Sequence, residues 1–283
     1  MDASQNMGGN ACAGLDPVDR QKLQEAAEML VAARGLITKI TEAVGNIISR
    51  AGGTALDLVK EKVGLDVRAK AGEVTESVLC KFQSGAMIGL DEESDRERWN
   101  WFHKLVVGAS GATGGFFGAP GLLWDLPITT GVIMRSIADI ARSFPGENLS
   151  SEATKRACIE VFAFGGPEPD DDDADAGYWI TRSGLSHVTI ELLIRQVTAR
   201  FGVVLSEKIL TQAVPVAGML AGAGLNYAFI DYYQQMARVH FIIRDVERRA
   251  PDLSAVRPCF SHLVRQVRRR RKPQRSRQEP AAK

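Results

Sequence analysis

Leu36-Ile37-Thr38-Lys39-Ile40-Thr41-Glu42-Ala43-Val44-Gly45-Asn46-Ile47-Ile48 is the stretch that decides the fold class. Isoleucine and valine favour strands because their branched Cβ suits a pleated surface. Here, however, Leu36, Ile37, Ile40, Val44, Ile47 and Ile48 recur every three or four residues. In a strand that spacing scatters them over both faces, whereas in a helix it gathers them on one. No segment of the chain sustains a period of two. The chain is expected to be all-α.

Working outward, Asp16-Pro17 reads as a helix start, with a capping Asp before a proline at the first helical position. Leu23, Ala26, Ala27, Leu30 and Ala33 then form an apolar stripe, and Gly52-Gly53 ends the pattern begun at Leu36. Residues 56–63 and 67–82 carry shorter helical patterns. Further helices are expected over 128–143, from a cap at Ser150 or Ser151 through 164, over 178–200 and over 231–249. Phe144-Pro145-Gly146-Glu147-Asn148 between them reads as a turn. Asp125, Thr129 and Thr130 beside Pro127 fit the capping of the helix expected from Ile128.

Two blocks interrupt this ordinary helical text. Residues 105–124 contain no charge over 20 positions, and six of those positions are glycine. Residues 209–230 contain none over 22 positions. Runs of this length have the span of a membrane crossing. Their composition argues against an isolated crossing, since glycine weakens a lone helix and Gln212, Pro215 and Asn226 are costly in lipid. Both blocks place small residues four apart: Gly111 with Gly115, Gly114 with Gly118, and Gly218 with Gly222. That spacing lets two helix backbones touch. Buried core helices, membrane docking and a phosphate-cradling loop all remain open, although no GxxxxGK[ST] is present. The expected architecture is one helical domain over 16–250 with two glycine-rich apolar helices packed at its centre. A disordered N-terminus over 1–15 and a basic, disordered tail over 251–283 flank it.

Charge is distributed unevenly. Lys and Arg number 35 against 34 Asp and Glu, a formal net charge of +1. Residues 265–283 nevertheless hold nine basic residues and one glutamate, a local +8, which leaves the rest of the chain at −7. The tail has no interleaved aromatic residues on which bases could stack, so specific nucleic-acid binding is not expected. An anionic membrane surface attracts such a segment by roughly 1 kcal/mol per Lys or Arg. The acidic run at 170–173 with Asp175 lacks the ligand spacing of a calcium loop, and no metal is expected. Cys12, Cys80, Cys158 and Cys259 lie far apart without a CxxC pair, which suits free thiols in a reducing compartment. Residues 1–14 lack the basic and apolar regions of a secretory signal. The expected location is cytoplasmic, peripheral to the inner face of a membrane.

Several longer motifs point to a family. Gly111-Ala112-Thr113-Gly114-Gly115-Phe116-Phe117-Gly118-Ala119-Pro120-Gly121 is followed by Asp125-Leu126-Pro127-Ile128-Thr129-Thr130 and Arg135-Ser136-Ile137-Ala138. Later come Tyr178 and Arg182, Val214-Pro215-Val216-Ala217-Gly218 through Gly222, Asn226-Tyr227-Ala228-Phe229, and the 237–244 segment Ala237-Arg238-Val239-His240-Phe241-Ile242-Ile243-Arg244. Together these resemble the EcsC protein family over residues 23–249. The resemblance implies a bacterial protein of no settled activity, named after a component encoded beside an ABC transporter. It implies membrane association for some members, a transporter-like membrane partner and a hydrolase role without a secure catalytic set. The Asp-rich loop and the basic tail depart from the family pattern.

The polar residues around the two blocks are the candidate site. Arg135 and Asp139, like His240 and Arg244, are four apart and share a helix face. One reading makes Asp125 and Arg135 a buried ion pair between the glycine-rich helices, with Asn226 and His240 opposite and Asp231 nearby. A hydrolase would need His240 within hydrogen-bond reach of Thr129, Thr130 or Ser136. No GxSxG elbow or HExxH is present. A satisfied core histidine is the simpler role for His240 in its apolar run. No cofactor is expected. Membrane docking or lipid binding is the leading expectation, and a soluble hydrolase around Asp125, Thr129, Thr130 and His240 is the alternative.

Overall fold

The computed structural model describes residues 11–51, 72–85, 119–164, 189–195, 198 and 215–275. Its long helices are α1 (Pro17–Ala51), α2 (Ala119–Ala141), α3 (Glu152–Phe164), α4 (Pro215–Arg249) and α5 (Leu253–Arg275). Residues 72–83 and 190–195 add shorter helical segments. The described part is helical with no strand, so the chain is all-α. Gly111, Gly114, Gly115, Gly118, the 56–63 pattern and the Asp-rich loop lie outside the described residues.

The helices are longer than their periodicity suggested. Two expected helices, broken near Gly35, form the single α1, because one glycine costs only about 1 kcal/mol inside a helix that is otherwise well packed. The helix expected from Ile128 instead begins at Ala119 and carries Pro127 in its interior. Thr129 and Thr130 are therefore buried mid-helix residues rather than caps. Likewise α4 starts at Pro215, a residue suited to a first helical position, and runs through Asp231 without a break.

The tail expected to be unfolded is also helical from Leu253 to Arg275. Asp252 caps it, its Oδ1 accepting from the Ser254 amide at 2.9 Å. Val256, Cys259, Phe260, Leu263, Val264 and Val267 then bury one stripe at helical spacing. The basic count had masked that stripe. Cys259 is joined by a disulfide to Cys12, with Cα atoms 4.7 Å apart across 247 residues of sequence. The scattered cysteines thus include one bonded pair, and residues 11–15 of the expected disordered N-terminus are fixed, with Cys12 and Leu15 buried.

Pairwise contacts set the directions of the helices. α1 and α4 are antiparallel: Lys22 meets Asp245 at 3.2 Å and Asp19 meets Arg249 at 2.9 Å, while Arg34 hydrogen-bonds Tyr232 two turns or more away. α2 and α4 are parallel. The Gln234 amide donates to Ser136 Oγ at 2.8 Å, and beyond it Phe144 lies 5.9 Å from Phe241, ring centre to ring centre. α3 seals the core by stacking Phe162 on Tyr233 at 5.4 Å. α5 packs against α1. It starts beside the N-terminal end of α1, where Arg249, just before α5, meets Asp19 at 2.9 Å.

Candidate functional site

The turn after α2 is where the structure concentrates charge. Gly146 there has φ +77°, the left-handed region that glycine enters without a Cβ clash, and a Cβ would meet the Arg248 guanidinium. The turn presents Glu147, whose side chain is 1% exposed, to two arginines of α4. Arg244 Nε donates to Glu147 Oε1 at 2.7 Å, Arg248 lies 3.5 Å from the same oxygen, and the Thr154 hydroxyl donates to Oε2 at 2.7 Å. A buried carboxylate needs such company, since an unpaired one loses its hydration uncompensated. Nearby, Asp245 gathers Lys22, Arg248 and Arg249 at 3.2, 3.7 and 3.0 Å.

The i,i+4 pair of Arg135 and Asp139 forms loosely at 3.9 Å, while Asp139 sits closer to Arg142, at 2.9 Å. Burial pushes the Asp139 carboxyl above its ordinary value, against the opposing pull of Arg142 and Arg135. His240 is fully buried with its ring edge-on to Phe241, centres 5.2 Å apart. Arg244, one turn along α4 from His240, donates to Glu147. Glu147 was missed because a glutamate inside Pro145-Gly146-Glu147-Asn148 reads as an ordinary turn residue. Its role comes from α4, 97 residues away.

The parallel register of α2 and α4 divides the expected constellation. Thr130 precedes Ser136 by six residues and His240 follows Gln234 by six. At 1.5 Å rise per residue, Thr130 and His240 are about 18 Å apart along the bundle axis. The register therefore does not bring Thr129 or Thr130 to His240. The Ser136 hydroxyl accepts from the Gln234 amide at 2.8 Å and both are buried, which makes it a packing contact between helices. Asp125 and Asn226 occupy the same end of α2 and α4 as Thr129, with their side chains outside the described residues. Asp231 is half-buried on α4. Gly218 and Gly222 fall in α4, also without described surroundings. Among the described residues no three metal-ligating side chains cluster. Among them, too, no helix is long and apolar enough to cross a membrane.

The model of the EcsC protein family matches residues 20–246, from early α1 almost to the end of α4. The chain belongs to the EcsC family. No curated protein and no solved structure matches it. The EcsC match includes the charged turn, the Ser136–Gln234 contact and His240. Cys12, Cys259 and all of α5 lie outside it.

Proposed function

We propose that this EcsC-family protein docks end-on at the inner face of a membrane, as an accessory or lipid-handling module. One observation carries the reading: α2 and α4 run parallel, so their uncharged halves lie at one end of the bundle. Residues 215–230 of α4 contain no charge, and residues 119–130 of α2 contain only Asp125. The opposite end holds the ion pairs of Asp19, Lys22, Asp245, Arg244 and Glu147. The α2–α4 pair is polarised along its length in this way, one end suited to water and the other to an interfacial environment, to which the antiparallel α1 adds Lys39, Glu42 and Arg50.

Exposed apolar side chains support the same orientation. Ile128 and Tyr227 are 44% and 51% exposed at matching levels of α2 and α4, and Leu36 of α1 is 43% exposed near that level. The cationic half of α5 exposes Arg265, Arg269, Arg270 and Arg271. Anionic lipid headgroups complement those guanidinium groups, by roughly 1 kcal/mol each. The transporter-like partner implied by the family would be met at the same surface. Flotation of the full chain with vesicles rich in phosphatidylglycerol tests the reading. Co-flotation at low salt, weakened by added salt, is the expected result. Protein that stays with the soluble fraction at low salt ends the proposal.

A further inference from the structure

We infer that the Cys12–Cys259 disulfide is a redox strap that holds the cationic helix α5 ready for an anionic membrane surface, and that its reduction weakens docking. The inference rests on the membrane-docking reading and adds its regulation. Neither cysteine lies in the family-matched region, so the strap and the helix it ties are additions to the EcsC body.

The need for a strap follows from the composition of α5. Its described sequence carries Arg257, Arg265, Arg268, Arg269, Arg270, Arg271, Lys272 and Arg275 and no acidic residue. Like charges three and four apart repel, and Arg265 precedes Arg268 and Arg269 by that spacing, as Arg268 precedes Arg271. Among the described residues Arg265, Arg269, Arg270 and Arg271 have no carboxylate partner, whereas Arg257 meets Glu247 at 2.9 Å. Attachment therefore depends on the part of the helix from Val256 to Val267, which carries the apolar stripe. Cys259 lies within that stripe and is fully buried. Its bond to Cys12 fastens α5 to the segment that leads into α1, and Arg20 also holds that segment by donating to the Cys12 carbonyl at 3.3 Å. A cationic helix fixed in place meets a headgroup layer without a further ordering cost, and a loosened one does not.

The chemistry is a two-electron exchange. A thiolate of a dithiol reductant attacks Cys12 Sγ, Cys12 being 6% exposed and Cys259 0%, and Cys259 leaves as a thiolate that takes up a proton. The second thiol of the reductant then displaces Cys12, which is released as a thiol, and the reductant ends as a disulfide.

Vesicle flotation in the oxidised and dithiothreitol-reduced states tests the inference, using full-length protein, phosphatidylglycerol vesicles and a neutral phosphatidylcholine control. Thiol alkylation in denaturant first establishes the redox state: two cysteines react before reduction and four after. The oxidised protein is expected to bind anionic vesicles at least threefold more tightly than the reduced protein. Cys12→Ser is expected to bind as the reduced protein does and to ignore dithiothreitol. Cys80→Ser, which leaves the bridge intact, is expected to keep the full response, and an unchanged far-ultraviolet circular dichroism spectrum of Cys12→Ser separates lost docking from lost folding. Equal binding in both states, or four reactive thiols before reduction, overturns the strap and leaves the docking reading standing. No binding in either state overturns both. Binding to duplex DNA that exceeds binding to vesicles and responds to reduction equally overturns the lipid assignment.

Discussion

Arg244 reaches from α4 to the turn after α2 and donates Nε to Glu147 Oε1 at 2.7 Å, where the carboxylate side chain is only 1% exposed. Breaking a buried pair by removing one partner is costly because the remaining charge stays buried. Arg244→Ala should lower the unfolding free energy by about 2–4 kcal/mol in urea denaturation. Arg248 is one-third exposed and 3.5 Å away, so Arg248→Ala should cost less than about 1 kcal/mol. Equal losses from the two substitutions would show that Glu147 is not held chiefly by Arg244.

The Ser136–Gln234 contact predicts a strong coupling between two helices. Ser136→Ala leaves a buried amide of Gln234 without its acceptor, a loss of about 1–3 kcal/mol. Replacing Gln234 with Met as well removes the stranded donor, so the double variant should be more stable than the sum of the single losses implies. Additive losses would mean that the amide finds another acceptor.

How much of this was legible in the sequence depends on the scale of the signal. Ile37, Ile40, Val44 and Ile47 carry helical period in local spacing, so the all-α class could be read directly. The turn at Pro145-Gly146 was equally local, and the structure places Gly146 at φ +77°. Helix continuity was not legible, because the stripes ending at Ala33 and beginning at Leu36 read as two segments, and the residues beside Pro127 read as the start of a helix at Ile128. Glu147 with Arg244 and Cys12 with Cys259 depend on partners 97 and 247 residues apart, and spacing carries no information at that range. His240 is buried as its apolar flanks suggest, whereas Thr129 and Thr130 read as caps, and the register of all three is a property of the α2–α4 interface.

Asp139 predicts a pH dependence of stability. Burial raises its carboxyl pKa in the folded chain, so between the ordinary carboxylate value of 3.8 and that raised value the folded state binds more protons than the unfolded state. Stability from this group is then fully present at low pH and falls as pH rises through the window. Asp139→Asn removes the titration, so the stability difference, wild type minus variant, should decrease as pH rises. Denaturant midpoints from about pH 3 to pH 7 measure it. A difference that grows with pH would show instead that Arg142 and Arg135 dominate.

The two unbridged cysteines should differ sharply in reactivity. Cys80 is exposed and Cys158 is fully buried. Desolvation pushes the Cys158 thiol far up, with the Glu147 carboxylate adding to it, so the reactive thiolate is absent at neutral pH. Iodoacetamide should label native protein once, at Cys80, and reach Cys158 only after unfolding, as peptide mass spectrometry would read. Equal rates at both positions would mean that the α3 core opens readily.

Ile128 and Tyr227 allow docking to be separated from folding. Each is about half exposed, at 44% and 51%, so replacing it with serine removes little packing and should change stability by less than about 0.5 kcal/mol. Inserted among lipid headgroups, the same side chains would bury apolar area worth about 1 kcal/mol apiece at 25 cal/mol per Å². The double variant Ile128→Ser/Tyr227→Ser should therefore weaken vesicle binding by about thirtyfold while its thermal transition stays in place. Arginine-to-glutamine changes at Arg269 and Arg270 should also weaken binding, but with a shallower salt dependence, because they remove attraction rather than apolar contact. If the serine variant floats as well as wild type while the glutamine variant does not, the protein meets lipid through α5 alone, and the uncharged ends of α2 and α4 face another protein.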